Sequence, residues 1–330
     1  MFNTLFTSVG RRVELLKAFR AAYRSLQLEG RIIALDTDPL APGLRLVDRH
    51  YIVPRDDSAD YIPALIDICA KEGVDVVFPL IDPDIQVLPR YRAQIEAVGA
   101  RLATVSVEAA KICGDKWLTA EFFQQLGLAT PCTWLPGQID PDSAIYPLFI
   151  KPRDGSGAKN AFKVRDAREL TFFSSYVPHA VIQEFLPGPE ITNDVVSDLN
   201  GELLAVVSRR RIEVRAGEVV KGVTIIDPRV IDACMTIARA LPAVGPITVQ
   251  CLMKNDLPYF TEINARFGGG VPLGIASGAD SPRWLLARLA GVDLKVPPLG
   301  SYQNGCYMAR FDDSFFLSQA KYEQMAVHRI

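Results

Sequence analysis

Three oxygen-bearing side chains in the second half of the chain have the types and spacing of a metal site. Residues 248–264 read as two strands joined by a tight turn near Asp256. A hairpin with this centre places Gln250 opposite Glu262, and strand alternation puts Asn264 on the same face. One carboxylate and two amide oxygens suit Mg²⁺ or Mn²⁺ when substrate phosphates complete the ligand set.

The residues that follow the second strand have the chemistry to act on a phosphate. Arg266 presents a planar cationic fork. The next glycines let the backbone approach a ligand closely: Gly268, Gly269 and Gly270. An edge hairpin with solvated polar residues and a flexible turn is the alternative interpretation. We favour a metal–phosphate site because four polar side chains share one inferred face.

Length and charge limit the classes of protein to consider. The 330 residues are 49% hydrophobic and 22% charged, which predicts a globular protein of two or three domains. A net charge of -2 predicts neither nucleic-acid binding nor a polybasic membrane surface. The sequence shows no signal peptide and no apolar run of about 18 residues, so no membrane span is expected.

Cysteine and histidine usage points to a cytoplasmic protein without a zinc site. Six cysteines lack the CxxC spacing, and we expect reduced thiols. Only three histidines are present, which disfavours a histidine-based zinc site.

The first hundred residues alternate strand and helix, including one helix predicted over residues 83–98. Such alternation predicts a parallel sheet covered on both faces. Ligands bind these sheets at the carboxyl ends of the strands, where Ser8, Gly10 and Asp36 lie. Turn closure and substrate contact explain these three residues equally well. The GxGxxG pattern is absent, which disfavours a dinucleotide cofactor.

The middle of the chain holds two lysines in costly positions. Lys116 lies in the first turn of a helix predicted over residues 115–126, where a cation opposes the helix dipole. Lys151 lies inside an apolar strand and needs water or an anionic partner. The glycine-rich loop at residues 154–160, with Ser156 and Gly157, can expose N–H groups to a phosphate. A solvated lysine and an ordinary hairpin turn remain the alternatives.

Two further segments carry candidate ligand-binding residues. Strand residues 181–186 run into a Pro/Gly break, where backbone groups of Glu184 and Leu186 can bond a flat heterocycle. Glu190 can hold ribose hydroxyls, although an interdomain hinge with exposed acids is the alternative. Arg209 and Arg211 share a strand face, where they either clamp an anionic substrate or form a solvated edge that blocks strand pairing.

In this order, these motifs resemble an ATP-grasp enzyme. The similarity is greatest to the carbamoyl phosphate synthase large subunit and to single-unit carboxylate–amine ligases of the pyrrolysine-biosynthesis type. The matching segments are Gly114-Asp115-Lys116, Phe149-Ile150-Lys151-Pro152 with its glycine-rich loop, Gln183-Glu184-Phe185-Leu186 with Glu190, and Gln250, Glu262-Ile263-Asn264 and Arg266. The resemblance implies an α/β plus α+β fold, in which a parallel-sheet domain precedes a two-lobed ATP-grasp fold.

The resemblance also implies roles for individual residues. ATP would be bound by Lys116, Lys151, Ser156, Gly157, Glu184, Phe185, Leu186 and Glu190. Mg²⁺ or Mn²⁺ would be held by Gln250, Glu262 and Asn264. The catalytic residues would be Arg266, Lys151 and Asn264. The substrate candidates are Ser8, Gly10, Asp36, Arg209, Arg211, Gly268 and Gly269.

The expected activity is an ATP-dependent carboxylate–amine ligase that forms an acyl phosphate and releases ADP. Its expected parts are an N-terminal domain (1–105), a linker helix with a small lid lobe (106–186) and a large lobe (187–330). One alternative is a split carbamoyl phosphate synthase unit that acts on bicarbonate or carbamate. A non-catalytic nucleotide-binding regulator is another. The substrates would be small molecules; a homodimer is compatible with this activity, and the split synthase would need a partner subunit.

Overall fold

The N-terminal domain is a parallel sheet with helices on its faces. The computed structural model describes residues 1–155, 159–215 and 217–327. The five strands lie in the order β3-β2-β1-β4-β5 and are all parallel: β1 (Thr4–Phe6), β2 (Ile32–Asp36), β3 (Arg49–Ile52), β4 (Val76–Phe78) and β5 (Arg101–Leu102). The helices are α1 (Val13–Ser25), α2 (Tyr61–Glu72), α3 (Asp82–Val87) and α4 (Arg92–Ala97), with 3₁₀ turns at Pro42–Leu46 and Leu88–Tyr91.

The continuous helix predicted over residues 83–98 is wrong. The chain forms α3, a 3₁₀ turn and then α4. Pro89 lies in the 3₁₀ turn, because proline has no N–H for the helical ladder and its ring clashes with the preceding turn. The break leaves α3 as a short element whose first residue, Asp82, is close to the end of β4.

Two helices connect this domain to a small antiparallel lobe. They are α5 (Val107–Gly114) and α6 (Lys116–Gln125), and both pack on the core of the large lobe. The small lobe has the strand order β6-β9-β7-β8 and one helix: β6 (Thr133–Trp134), β7 (Leu148–Pro152), β8 (Phe162–Val164), α7 (Ala167–Tyr176) and β9 (Ala180–Glu184). Its apolar core is separate from that of the large lobe.

The large lobe is a six-stranded antiparallel sheet in the order β14-β13-β10-β11-β12-β15. Its elements are β10 (Glu190–Ser197), β11 (Leu203–Arg215), β12 (Glu218–Ile225), α8 (Pro228–Ala240), β13 (Pro246–Lys254), β14 (Leu257–Asn264), α9 (Val271–Ala276), α10 (Ser281–Ala290), β15 (Tyr307–Ala309) and α11 (Gln319–Val327). Asp227 caps α8 by accepting from the N–H of Arg229, as the Asp-Pro start predicts.

A phenylalanine cluster joins the large lobe to the N-terminal domain. Phe267, which follows β14, lies 5.8 Å from the ring of Phe19 and 5.9 Å from that of Phe78. These rings belong to one continuous core that also includes Trp284 of α10. The predicted fold class, a parallel-sheet domain before a two-lobed α+β unit, is confirmed. None of the described helices combines the length and the apolar composition needed to cross a bilayer.

Replacing Phe267 with alanine should weaken the junction between the two domains. The side chain is 1% exposed, so truncation leaves a cavity and should cost about 3–5 kcal/mol of unfolding free energy. Urea unfolding followed by circular dichroism measures this loss. The control, Phe172→Ala, removes a ring that is 58% exposed and should change the midpoint little. Equal midpoints for the two variants would contradict this account of the junction.

Candidate active site

A cavity of about 780 Å³ lies between the small and large lobes. Its wall includes residues from β7, from the segment after β9, and from β10 to β14. Arg12 of the N-terminal domain lines the same cavity. This volume is in the range of small-ligand sites, and the lining combines several cations with three candidate metal ligands.

The β13–β14 hairpin brings the three candidate metal ligands together. Gln250 pairs directly with Glu262, and Thr248 pairs with Asn264. The turn residues Asn255 and Asp256 have φ values of 50° and 59°, as a two-residue hairpin turn requires. A register shift follows Gln250, so that an extra residue of β14 bulges at this point.

The oxygen atoms of this hairpin differ in their partners. Glu262 is half-buried and lines the cavity, and its carboxylate forms no hydrogen bond or ion pair with any described residue. Gln250 donates from Nε2 to Glu190 Oε1 over 2.5 Å, which leaves its Oε1 with only a long contact of 3.4 Å from Asn264 Nδ2. Glu262 is therefore a carboxylate available to a cation.

Lys151 is a desolvated cation in the cavity wall. The pKa of its ammonium is lowered to about 8, chiefly by burial; Glu262 opposes this shift, and Lys116 contributes to it. Its Nζ lies 5.8 Å from the Phe149 ring centroid and makes no ion pair with a described residue. An anion in the cavity would compensate the burial of this charge.

Lys116 is held against the glycine-rich loop. It begins α6 directly after Asp115, whose carboxylate caps the helix and also pairs with Arg153. Its Nζ donates to the carbonyl of Gly155 over 2.8 Å. The Lys116 ammonium therefore connects the helix start to the loop. Two other predicted phosphate-binding residues lie outside the described part of the chain: Ser156 and Gly157.

The end of β9 is bound to the turn end of the β13–β14 hairpin. The N–H of Glu184 donates to Cys132, and its carboxylate pairs with Lys254. The N–H of Leu186 has no hydrogen-bond partner among the described residues. Lys163 Nζ lies 4.0 Å from the ring centroid of Phe185. Glu184, Phe185 and Leu186 all line the cavity.

A glycine allows the chain after β9 to approach the backbone of β13 closely. A Cβ on Gly188 would lie 1.5 Å from the carbonyl oxygen of Met253, which only glycine avoids. The N–H of Met253 donates to the carbonyl of Pro189 in the same contact. This contact fixes the start of β10, where Glu190 enters the cavity.

The predicted pair Arg209 and Arg211 lies on an interior strand. The solvated-edge interpretation is wrong, because β11 pairs with β10 on one side and β12 on the other. Arg211 donates to Glu190 over 2.6 Å, and Arg209 forms a buried bidentate pair with Asp194 at 2.6 and 2.9 Å. The Arg209 and Asp194 side chains are 2% and 5% exposed.

The three glycines after Phe267 make room for these ion pairs. A Cβ on Gly270 would lie 2.0 Å from Arg209 Nη1, and one on Gly268 would lie 2.8 Å from Asp194 Oδ1. A Cβ on Gly269 would lie 2.5 Å from Glu218 Oε2. The glycine turn therefore packs against charged side chains of the protein itself while it lines the cavity.

Arg266 reaches across to the N-terminal domain. It forms a bidentate ion pair with Asp82 of α3, at 2.8 and 3.0 Å, and its Nη2 lies 3.5 Å from Asn264 Oδ1. Sequence reasoning missed Asp82, although it follows a parallel strand in the same way as the residues chosen there.

The predicted residues at the ends of β1 and β2 bond to each other or form turns instead of lining the cavity. Asp36 accepts from the N–H groups of Gly10 and Asp38, and Ser8 has a φ of 50°. Arg12, two residues after Gly10, does line the cavity and was missed. The rule that ligands bind after parallel strands identified the correct loop but not the residue that reaches the site.

Two protein-family models match consecutive parts of the chain. A PylC-like N-terminal domain matches residues 4–103, and an ATP-grasp domain matches residues 113–270. The chain therefore combines a PylC-like N-terminal domain with an ATP-grasp domain. Both models agree with the observed order of a parallel-sheet domain followed by two lobes.

Known ATP-grasp proteins resemble this chain at moderate identity. A carbamoyl-phosphate synthase from Methanobrevibacter smithii is 28% identical over 177 residues, 52% of this chain and 46% of that protein. A 3-methyl-D-ornithine–L-lysine ligase from Methanosarcina mazei is 23% identical over 262 residues, 79% of this chain and 65% of that protein. The match thus spans about half to two thirds of these curated relatives.

A solved structure shows the same fold. The biotin carboxylase domain of the Hydrogenobacter thermophilus 2-oxoglutarate carboxylase aligns with a TM-score of 0.73 and 16% identity, over 93% of this chain and 73% of that one. The predicted relationship to carbamoyl phosphate synthases and pyrrolysine-type ligases is confirmed by these ATP-grasp matches.

Removing one member of the buried ion pair should destabilise the large lobe. Asp194→Ala leaves the Arg209 guanidinium buried without its carboxylate, which should cost about 3–5 kcal/mol. Glu14→Ala removes the exposed pair with Lys17 and should change the unfolding free energy by less than about 1 kcal/mol. Chemical denaturation compares both variants with the wild type. An Asp194→Ala protein as stable as Glu14→Ala would show that the pair is not needed.

Proposed function

We propose that this protein is an ATP-dependent carboxylate–amine ligase that releases ADP. The observation that carries the proposal is the Glu262 carboxylate, which faces Gln250 in the cavity and has no ionic partner in the described part of the chain. Lys151 lies in the same cavity as a desolvated cation. A triphosphate with a bound divalent cation satisfies both groups at once, with the cation at Glu262 and phosphate oxygens at Lys151.

The nucleotide takes a defined direction in this proposal. Its base lies at the segment after β9, where the Leu186 N–H and the Glu184 carbonyl provide one donor and one acceptor for adenine. Phe185 lines the same end, and Glu190 binds the ribose hydroxyls. The triphosphate then runs toward Lys151, Lys116 and the glycine-rich loop, which includes Ser156 and Gly157.

The donor set fits Mg²⁺ or Mn²⁺ only together with the nucleotide. No group of three or more His, Cys, Asp or Glu residues in the described parts of the chain could hold a metal alone. Gln250, Glu262 and Asn264 offer one carboxylate and two amide oxygens, and Mg²⁺ commonly completes such a set with substrate phosphates. When bound, the cation neutralises charge on the terminal phosphates.

The reaction proceeds in two steps that the protein promotes by position and charge. A carboxylate oxygen attacks the γ-phosphorus, the bond to the β–γ bridging oxygen breaks, and ADP leaves. The amine then attacks the acyl carbon, the carbon–oxygen bond to phosphate breaks, and the nitrogen loses a proton as the amide forms. Phosphoryl transfer needs mainly orientation and electrostatic stabilisation, which the cationic wall supplies.

Arg266 has a catalytic role in this scheme. Its bidentate contact with Asp82 fixes the guanidinium next to Asn264. The charge therefore lies at the phosphate end of the site, opposite the base, and stabilises charge that moves during transfer. Gly268 and Gly269, which line the same end, form part of the wall for the carboxylate substrate.

The three parts of the chain divide the work. The small lobe, within residues 106–186, covers the nucleotide, and its glycine-rich loop excludes water from an acyl phosphate that would otherwise hydrolyse. The large lobe, within residues 187–330, holds the metal ligands. The N-terminal domain, residues 1–105, closes the substrate end. We propose a cytoplasmic location, in agreement with six unpaired cysteines.

Glu262→Gln should abolish metal-dependent turnover while the fold remains intact. The substitution keeps the size of the side chain and removes the charge that attracts the cation. ADP release at saturating Mg-ATP measures the loss, and circular dichroism checks the fold. Glu213→Gln, a change at an exposed carboxylate paired with Lys221, is the control and should retain activity. Near wild-type turnover by Glu262→Gln would refute the metal site.

Lys151→Met should lower ATP affinity about tenfold or more. The change keeps the apolar stem and removes a charge-assisted contact of about 1.5–3 kcal/mol. Isothermal titration calorimetry measures the dissociation constant. Lys159→Met, at an exposed position of the loop, should have a smaller effect. An unchanged constant for Lys151→Met would remove this lysine from the phosphate site.

The ionisation of Lys151 should make ATP binding take up protons in a pH-dependent way. The pKa of Lys151 is about 8 in the free protein, and bound phosphates should raise it. ATP binding should therefore take up protons between about pH 8 and 9 and should do so much less at pH 6.5. Titrations in buffers of different ionisation enthalpy measure the uptake. Lys151→Met should lack it, and an identical uptake by that variant would contradict the assignment.

Hydroxylamine should intercept the activated carboxylate. Incubation of the enzyme with Mg-ATP, a panel of amino and carboxylic acids, and hydroxylamine should give a hydroxamate, ADP and phosphate. AMP and pyrophosphate would instead show adenylation and contradict the mechanism. Bicarbonate-stimulated ADP release without a hydroxamate would favour the carbamoyl phosphate alternative. ATP binding without ADP release under any condition would favour a non-catalytic regulator.

A further inference from the structure

Arg12 is a buried cation with an unfilled hydrogen-bonding position. It precedes α1 in the N-terminal domain, and its side chain is 15% exposed. Its Nη1 atom is buried and has no hydrogen-bond partner among the described residues. The nearest carboxylate oxygen, Glu218 Oε1, lies 3.5 Å away. A buried guanidinium N–H without an acceptor is costly, and a ligand in the cavity would relieve that cost.

The charges around Arg12 leave a positive excess at this end of the cavity. Arg266 occupies both oxygens of Asp82, and Arg310 donates to Glu218 Oε2 over 2.9 Å. Three guanidinium groups thus face two carboxylates, and Arg12 is the least well paired. The pKa of Arg12 is lowered to about 10, chiefly by burial; Glu218 opposes this shift, and the charges of Arg266 and Arg310 contribute to it.

The position of Arg12 separates it from the nucleotide. A Cβ on Gly269 would lie 2.8 Å from Arg12 Nη1, so the guanidinium packs against the glycine turn. This turn follows the β13–β14 hairpin and Arg266 in the chain, and its three glycines line the cavity. The triphosphate already has Lys116, Lys151 and the metal ligands. The substrates are the ligands that remain for the part of the cavity that Arg12 lines.

We propose that Arg12 is a specificity-determining residue that binds a carboxylate of the amine substrate. This inference rests on the proposed ligase function. The activated carboxylate must lie at the γ-phosphate, beside Arg266, so the group at Arg12 is a different carboxylate that does not react. The amine approaches from the side that the N-terminal domain forms, and Arg12 comes from that domain. The enzyme would therefore select amines that carry a free carboxylate, and its product would retain it.

The test compares acceptors that differ only in this group. The donor acid comes from the hydroxamate assay, and the acceptors are the standard amino acids and the corresponding amino acid amides. ADP release and product formation give kcat/KM for each pair. The wild type should prefer the best amino acid over its amide by about 10- to 150-fold, the ratio that corresponds to one charge-assisted contact. Arg12→Gln should reduce this preference to within about threefold.

Matched variants separate recognition from folding. Arg12→Lys keeps the charge and should retain part of the preference. Arg24→Gln, at an exposed position in the last turn of α1, should behave like the wild type. ATP affinity should be unchanged in Arg12→Gln, because the residue binds the acceptor. If Arg12→Gln fails to fold, Arg12→Lys replaces it in the test. A ratio of kcat/KM for acid over amide below the wild-type ratio then supports the inference, and an unchanged ratio overturns it.

The outcomes distinguish this inference from the function on which it rests. A wild type that uses acid and amide acceptors equally overturns the inference and leaves the ligase intact. The inference is also overturned if Arg12→Gln keeps the preference for the amino acid over its amide. The same holds if kcat/KM falls by the same factor for both acceptors. Failure to form any hydroxamate or ADP overturns the ligase function itself, and the inference with it.

Discussion

The register of the β13–β14 hairpin is the constraint on which the candidate site depends. Side chains alternate across a strand, so a slip of one residue would turn Gln250, Glu262 and Asn264 away from the cavity. The left-handed turn residues and the contact between Gly188 and Met253 hold the hairpin in place. Because Arg266 and the glycine turn continue directly from β14, the same register sets their positions against the N-terminal domain.

Charge pairing explains how so many cations share one cavity. Arg209, Arg211 and Arg266 each have a carboxylate partner on a neighbouring segment. These ion pairs fix the positions of the arginine side chains in the cavity wall and reduce the repulsion between their positive charges. Lys151 has no such partner among the described residues, and Arg12 has only the longer contact with Glu218. The two weakly paired cations lie at the ends of the cavity that we propose for the nucleotide and for the substrate, where incoming anions would complete the balance of charge.

The sequence predicted the features that depend on local patterns. Alternation and turn chemistry were enough to pair Gln250 with Glu262, and the Asp-Pro start was enough to place α8. Pro89 was weighed too lightly against an amphipathic pattern, which led to a helix that the structure breaks. Asp194 and Glu218 could not be found, because they act through partners between 15 and 206 residues away in the chain.

Transfer of oxygen from the carboxylate to phosphate tests the central claim most directly. The donor acid, labelled with ¹⁸O in both carboxylate oxygens, would be converted with Mg-ATP and the amine substrate. Phosphate released by the enzyme would then be examined by ³¹P NMR for the isotope shift. An acyl phosphate mechanism predicts one ¹⁸O atom in each phosphate, because the carbon–oxygen bond breaks when the amine attacks. Unlabelled phosphate, or label in AMP, would contradict the account.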